Sequence, residues 1–251
     1  MLKIVSISKQ FNSILALDCI SITFSKNEIV GLIGPNGSGK TTLLNIASGL
    51  LKPDLGKVII ENHELSSLAP HRIAKLGIAR NFQNLRIFKR MTVLENVLAA
   101  KIGNYDSRFF NLFFYASQVN RLELENAESA LESAGIIDAK DRLAKTLPFP
   151  DLRRLEVARI LVRDPKVVFL DEPAGGMTPF ETEAMGNLIM EKVAVGRLCI
   201  LIEHKIDLIK NICERICVLN SGRLIADGSP LNVLESREVK EAYIGMGTYD
   251  A

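Results

Sequence analysis

At 251 residues the chain has material for one large α/β domain, or for a core domain carrying a smaller inserted lobe. Hydrophobic residues make up 47% and charged residues 24%, an ordinary globular balance, and 31 basic against 29 acidic side chains leave a net charge of +2, without a bulk pull toward nucleic acid or an anionic membrane. Tryptophan is absent and aromatics reach 6%, which leaves little for a platform that stacks single-stranded bases.

The start, Met1-Leu2-Lys3-Ile4-Val5-Ser6, lacks the long apolar stretch and small-residue cleavage site of a signal peptide. Ile20, Ile22 and Phe24 alternate with Ser21, Thr23 and Ser25, which predicts a strand with one buried face. Lys26-Asn27 marks a turn, and Ile29 to Ile33 is a short apolar run of the fully buried kind. A Gly-rich loop follows, then a helix from Thr42 to Ala47 with Gly49 as its stop. Thr92 and Glu95 have capping-box spacing. From about Asn120, Leu124, Ala127, Leu131 and Ala134 recur at helical spacing, and Gly135 closes the run. Between them, Phe109 to Tyr115 gathers five of the fifteen aromatic residues, which suits packing within a small lobe or a docking surface for a partner.

The last third alternates strand and helix. Val167 to Leu170, Leu198 to Ile202 and Arg215 to Leu219 read as strands; Thr178-Pro179-Phe180-Glu181 and Ser229-Pro230 read as helix starts. That alternation predicts a mostly parallel sheet covered on both faces. No apolar run approaches the roughly 20 residues that span a bilayer, so work at a membrane requires another chain to cross it. Of the cysteines Cys19, Cys199, Cys213 and Cys217, the closest two sit four apart in a helix-like stretch. Without a C-x-x-C pair, buried free thiols in a reducing compartment are the expectation.

Gly34-Pro35-Asn36-Gly37-Ser38-Gly39-Lys40-Thr41 fits G-x-x-x-x-G-K-[ST] without a mismatch, after a buried strand and before a helix. Glycines let such a loop wrap so that backbone N–H groups point at phosphate oxygens, and the helix adds its positive end. Lys40 is expected to reach the β- and γ-phosphates of ATP, Thr41 to hold Mg²⁺ and Thr42 to bond the α-phosphate. A matching acidic site belongs at the end of another core strand, and Asp171-Glu172 stands there. Adjacent carboxylates after an apolar run need a positive partner, for which Mg²⁺ is the obvious candidate. Asp171 would support the metal's water shell, and Glu172 would orient and deprotonate the attacking water.

With both motifs placed, the chain resembles the ATP-binding subunits of ABC transporters over essentially its whole length. The resemblance implies a P-loop NTPase fold: an α/β core with a mostly parallel sheet, an N-terminal antiparallel β portion, an inserted helical subdomain roughly over 84–163 and a C-terminal extension roughly over 228–251. It implies that Gln83 is the glutamine that touches Mg²⁺ and senses the membrane partner, and that His204 is the histidine that contacts the γ-phosphate. Phe11 resembles the aromatic that stacks on adenine, with a core position as the alternative. Phe82 to Phe88, Thr92 to Val97 and Glu241-Ala242-Tyr243-Ile244-Gly245 look like importer subunits for branched-chain amino acids. That branch implies two ATPase subunits, two transmembrane permease subunits and an external solute-binding protein, with this chain peripheral on the cytoplasmic face of the inner membrane and no nucleic-acid partner.

The chain departs from the family at its signature segment, which resembles Leu-Ser-Gly-Gly-Gln and contacts ATP held by the opposite subunit. Here the place reads Leu147-Pro148-Phe149-Pro150-Asp151. Pro148 has no hydroxyl, Pro150 has no N–H, and Asp151 sets a carboxylate near an anion's position while suiting a helix cap. Each lost charge-assisted hydrogen bond removes about 1.5–3 kcal/mol, so losing two slows a composite site by about two to four orders of magnitude. Arg153 and Arg154 are candidates to recover part of this by donating to phosphate. The expectation is an asymmetric heterodimer, because a homodimer would weaken both of its sites. Thr178 stands where the family usually has Asp or Asn, and Lys205 where relatives are often acidic. Alternative readings are a regulatory ATP-binding switch with little hydrolysis, an exporter subunit, and a non-transport ABC protein.

Overall fold

The computed structural model describes residues 1–66, 68–81, 85–101 and 121–244. Gln83 and the aromatic run Phe109 to Tyr115 lie outside them. Among the described residues there are two sheets. The first is antiparallel, in the order β2 (Ile14–Phe24), β1 (Leu2–Phe11), β4 (Leu55–Ile60), β5 (His63–Glu64). The second runs β10 (Arg223–Gly228), β9 (Arg215–Asn220), β3 (Ile29–Ile33), β8 (Leu198–Ile202), β7 (Val167–Asp171), β6 (Ile78–Arg80). All its neighbours are parallel except the β10–β9 hairpin at one edge.

The central strands carry apolar side chains at every position because both of their faces are covered. Val30 and Leu32, Val167 and Phe169, Leu198, Ile200 and Ile202 face one core, which they share with the antiparallel sheet and helix α1 (Lys40–Ala47). The intervening Ile29 and Ile33, Val168 and Leu170, Cys199 and Leu201 face a second core. It is closed by α5 (Phe149–Leu161), α6 (Pro179–Leu188) with its π-helical extension Ile189–Val193, and α7 (Ile206–Ile212). The alternation of Ile20, Ile22 and Phe24 is buried as the period predicts. A short helix α2 (Pro70–Lys75) precedes β6, and α8 (Pro230–Glu235) and α9 (Arg237–Ile244) end the described chain.

A third apolar cluster is built from α3 (Val93–Lys101), α4 (Arg121–Ser133) and the far side of α5. Both predicted capping boxes form. Thr92 Oγ1 accepts from the Glu95 N–H at 3.1 Å while Glu95 accepts from the Thr92 N–H at 2.7 Å. Thr178 and Glu181 exchange the same pair at 3.4 and 2.8 Å. One sequence reading is overturned: Cys213 and Cys217 are not on a helix. Helix α7 stops at Ile212, Cys213 is extended, and the Glu214 N–H is taken by the Ile29 carbonyl, so the chain enters β9 beside β3. Nor are all four thiols buried, since Cys19 is exposed.

A candidate ATP site at the carboxyl edge of the central sheet

Parallel strands deliver their carboxyl ends to one edge, and the order β3-β8-β7-β6 brings four loops side by side there. They are the Gly34–Thr41 loop, the His204 loop, the acidic pair, and Arg80 with Asn81. A Cβ at Gly34 (φ 148°) would lie 2.0 Å from the Leu219 carbonyl oxygen, and one at Gly39 (φ 103°) 2.7 Å from that of Ala16. These two approaches admit only glycine. The loop is braced from beneath, where the Gly222 N–H donates to the Ser38 carbonyl at 3.1 Å and the Asp18 N–H to Gly222 at 2.8 Å.

Lys40, the first residue of α1, is almost fully buried. Its ammonium donates to the carbonyls of Gly34 at 2.7 Å and Pro35 at 2.8 Å. Burial lowers its pKa, and the Glu172 and Asp171 carboxylates act in the opposite direction. A cavity of about 230 Å³ opens beside it, lined by Ala16, Asn36, Gly37, Ser38, Gly39, Lys40, Thr41, Thr42, Glu172, Ile202 and His204. Phosphate-loop residues and the carboxylate–imidazole pair thus line one and the same cavity. His204 Nε2 lies 3.2 Å from Glu172 Oε1, the contact expected of a base held in orientation by a histidine. Glu172 has φ 48°, a left-handed conformation that turns its side chain out of β7 toward the cavity, and its N–H is held by the Ile202 carbonyl at 2.9 Å.

Asp171 is buried, and its positive partner in the fold is a side chain. Arg80 Nη2 lies 2.9 Å from Asp171 Oδ2, while Nη1 donates to Asn45 Oδ1 at 2.6 Å and Ser48 Oγ at 3.2 Å. Desolvation lowers the Arg80 pKa and the Asp171 contact opposes it. Asn81 grips the Asp171 backbone from both sides, accepting from its N–H at 2.6 Å and donating to its carbonyl at 3.1 Å. Neither residue stood out in the sequence, because an Arg that ends a three-residue strand and the Asn after it carry no motif. Among the described residues there is no cluster of three metal-binding side chains. A Mg²⁺ shared with nucleotide phosphates needs none, and the Thr41 hydroxyl and Asp171 carboxylate are oxygen donors of the kind that would suit it.

Phe11 ends β1 at the hairpin tip, 44% exposed, with Lys9 Nζ 5.6 Å from its ring centre. It is not a core residue, and Ala16 lines the cavity on that side. In the signature segment Pro148 is the N-cap of α5, without a side-chain cap, so Asp151 is a first-turn residue and not the cap. Arg153 is buried and paired with Glu156 at 3.1 Å, its guanidinium 5.3 Å from the Phe149 ring. It is turned into the protein and cannot donate to a phosphate across an interface. Burial raises the Glu156 pKa, against the pull of Arg153. A larger cavity of about 400 Å³ lies on the other side of Arg80, between α2, α3 and α5. No helix among the described residues is long and apolar enough to cross a membrane.

Residues 17–175 match the ABC transporter family. The chain is 37% identical over 240 residues to the high-affinity branched-chain amino acid transport ATP-binding protein LivG of Salmonella typhimurium, covering 94% of each. It is 35% identical over 248 residues to BraF of Pseudomonas aeruginosa, of the same description, covering 97% of each. Among solved structures, the ADP conformation of an ATP-binding cassette of an ABC transporter superposes with a TM-score of 0.87 at 35% identity, covering 98% of both chains. A mixed α/β cassette, a matching phosphate loop and these full-length likenesses together establish that the chain belongs to the ABC transporter family, as an ATP-binding subunit whose ATPase activity is coupled to transport.

Proposed function

We propose that this chain energises import of branched-chain amino acids, or of other amino acids or small amides, as a peripheral subunit on the cytoplasmic face of a membrane that permease subunits cross. Support comes from the names of its relatives and from the site. The observation that carries the hydrolytic reading is the 3.2 Å contact of His204 with Glu172, facing the phosphate loop across one cavity.

Phosphoryl transfer asks a protein mainly for positioning and charge stabilisation. The Gly37–Thr42 N–H groups and the amino end of α1 receive the phosphates, and Lys40 exchanges its two loop carbonyls for β- and γ-phosphate oxygens. Thr41 and Asp171, with Gln83 by the family resemblance, would hold Mg²⁺, which would supply charge neutralisation to the phosphates. Glu172 accepts the proton of the attacking water as the new O–P bond forms and the bridging bond breaks, the electron pair leaving with ADP. His204 holds that carboxylate and donates toward the γ-phosphate. Phe11, exposed at the hairpin tip, is the adenine platform.

The Pro148-Phe149-Pro150-Asp151 segment serves the partner subunit's nucleotide poorly, and buried Arg153 offers no rescue. The working unit is therefore an asymmetric pair with a second ATPase subunit, fed from outside by a solute-binding protein. The buried Arg153 also favours a second reading, an ATP-binding switch with little turnover of its own. Two measurements test these readings. Mg-ATP should raise the melting temperature of the purified chain, and K40A should abolish that protection; protection unchanged in K40A would sink the site. Turnover should be weak for the chain alone and rise at least tenfold with its partner ATPase, whereas robust turnover by the chain alone would contradict the asymmetric pair.

A further inference from the structure

Three consecutive residues after β8 reach across to the loop that follows Glu172. Glu203, buried, accepts from the Ala174 N–H at 2.7 Å and from the His204 N–H at 3.2 Å. His204 meets Glu172. Lys205 spends all three ammonium protons on the same neighbourhood: the Ala174 carbonyl at 3.1 Å, the Met177 carbonyl at 2.8 Å and Thr182 Oγ1 at 2.6 Å. Ala174 is thus gripped at its N–H by Glu203 and at its carbonyl by Lys205. An acidic side chain at 205 would face carbonyl oxygens with a carboxylate and could bond to none of them. The far side of this loop touches the signature segment, since the Phe149 ring rests 3.4 Å from where a Cβ of Gly176 would stand.

We propose that Lys205 is a positioning residue that straps the 174–178 loop to the His204 loop, so that the two move as one body. Displacement of His204 by a γ-phosphate is then carried through Lys205 to Gly176 and felt by Phe149, on the face that serves the other subunit's nucleotide. The strap rests on the ATP reading above and adds to it a route by which one site's occupancy reaches the other. Without Lys205, the 174–178 loop keeps the Ala174 and Gly175 N–H bonds at its start and the Thr178 bonds to Glu181 and Thr182 at its end, but the Ala174 and Met177 carbonyls lose their tie to the His204 loop.

The chain lacks tryptophan, so F149W supplies a single reporter on the loop's far side. In the full-length chain with Mg²⁺, the non-hydrolysable analogue AMP-PNP should shift the emission of Trp at 149 and ADP should not. Adding K205M should cut the shift to under one-fifth, while AMP-PNP affinity, measured separately by calorimetry, stays within threefold. A full shift in K205M, or no shift in F149W with AMP-PNP bound, overturns the strap. Failure of the parent chain to bind AMP-PNP overturns the ATP site itself and the strap with it. Should F149W fold poorly, hydrogen exchange of the 174–178 amides in the unmodified chain and in T182V replaces it. AMP-PNP should slow exchange relative to ADP at least threefold, and T182V should lose at least half of that protection; equal exchange with both nucleotides refutes the proposal.

Discussion

Replacing Arg80 with methionine tests whether the interior of the site is held together by its guanidinium. Arg80 and Asp171 are paired at 2.9 Å with side chains 8% and 3% exposed, so little solvent screens them. Removing one partner of a buried ion pair costs about 3–5 kcal/mol, chiefly because the other charge is left uncompensated. Asn45 and Ser48 lose a donor too, but they can recruit water, so a total of about 4 kcal/mol is reasonable. For a chain of this size each kcal/mol moves the melting temperature by about 2–4 °C, which predicts a fall of about 8–16 °C for R80M. The double variant R80M/D171N carries no stranded charge and should recover about 2 kcal/mol of the loss. Thermal unfolding of nucleotide-free protein measures both. An R80M midpoint within 2 °C of the parent, or a double variant as unstable as the sum of the singles, would refute the reasoning.

Four further outcomes are expected. E172Q keeps an acceptor for His204 but cannot take a proton, so turnover of the assembled ATPase should drop by about two to four orders of magnitude, with ATP affinity unchanged by calorimetry. G34A drives a Cβ to 2.0 Å from the Leu219 carbonyl at a φ of 148°, and should lose both nucleotide-induced thermal protection and several degrees of melting temperature. Maleimide with mass spectrometry should label Cys19 alone in the native chain, and Cys199, Cys213 and Cys217 only in denaturant. Burial pushes the Cys199 thiol from 9.0 up to about 12 and the Cys213 and Cys217 thiols up as well. Between those values the unfolded chain has lost protons that the folded chain keeps, so the stabilisation is complete below about pH 9 and is lost as pH rises toward 12. The urea midpoint should accordingly fall steadily from pH 8.5 to 11, and should fall less in a C199A variant.

Where a residue's job follows from local spacing, the sequence was sufficient. The phosphate loop, the strand ending in Asp171-Glu172, both capping boxes and the alternation in β2 all depend on neighbours within a few positions. What escaped depends on contacts between distant segments. Arg80 and Asp171 are 91 positions apart, and Lys205 meets Ala174 from 31 positions away, so neither pairing leaves a local trace. The helix-like reading of Cys213 to Cys217 failed for the same reason: spacing alone misses the pairing of β9 with β3. Asp151 was misjudged by one turn because Pro148, which has no capping side chain, starts the helix earlier.

The 220–223 hairpin that floors the phosphate loop has a consequence for anyone grafting tags or reporters into this chain. By appearance it is a surface tip like the turn at Gly196, around which a Cβ would meet nothing within 4 Å. Yet Gly222 is squeezed against Ala16 and tethered to Ser38, so a foreign peptide spliced there would pry open the nucleotide's grip from below. The Gly196 turn, whose glycine has no such neighbour, is the better port of entry.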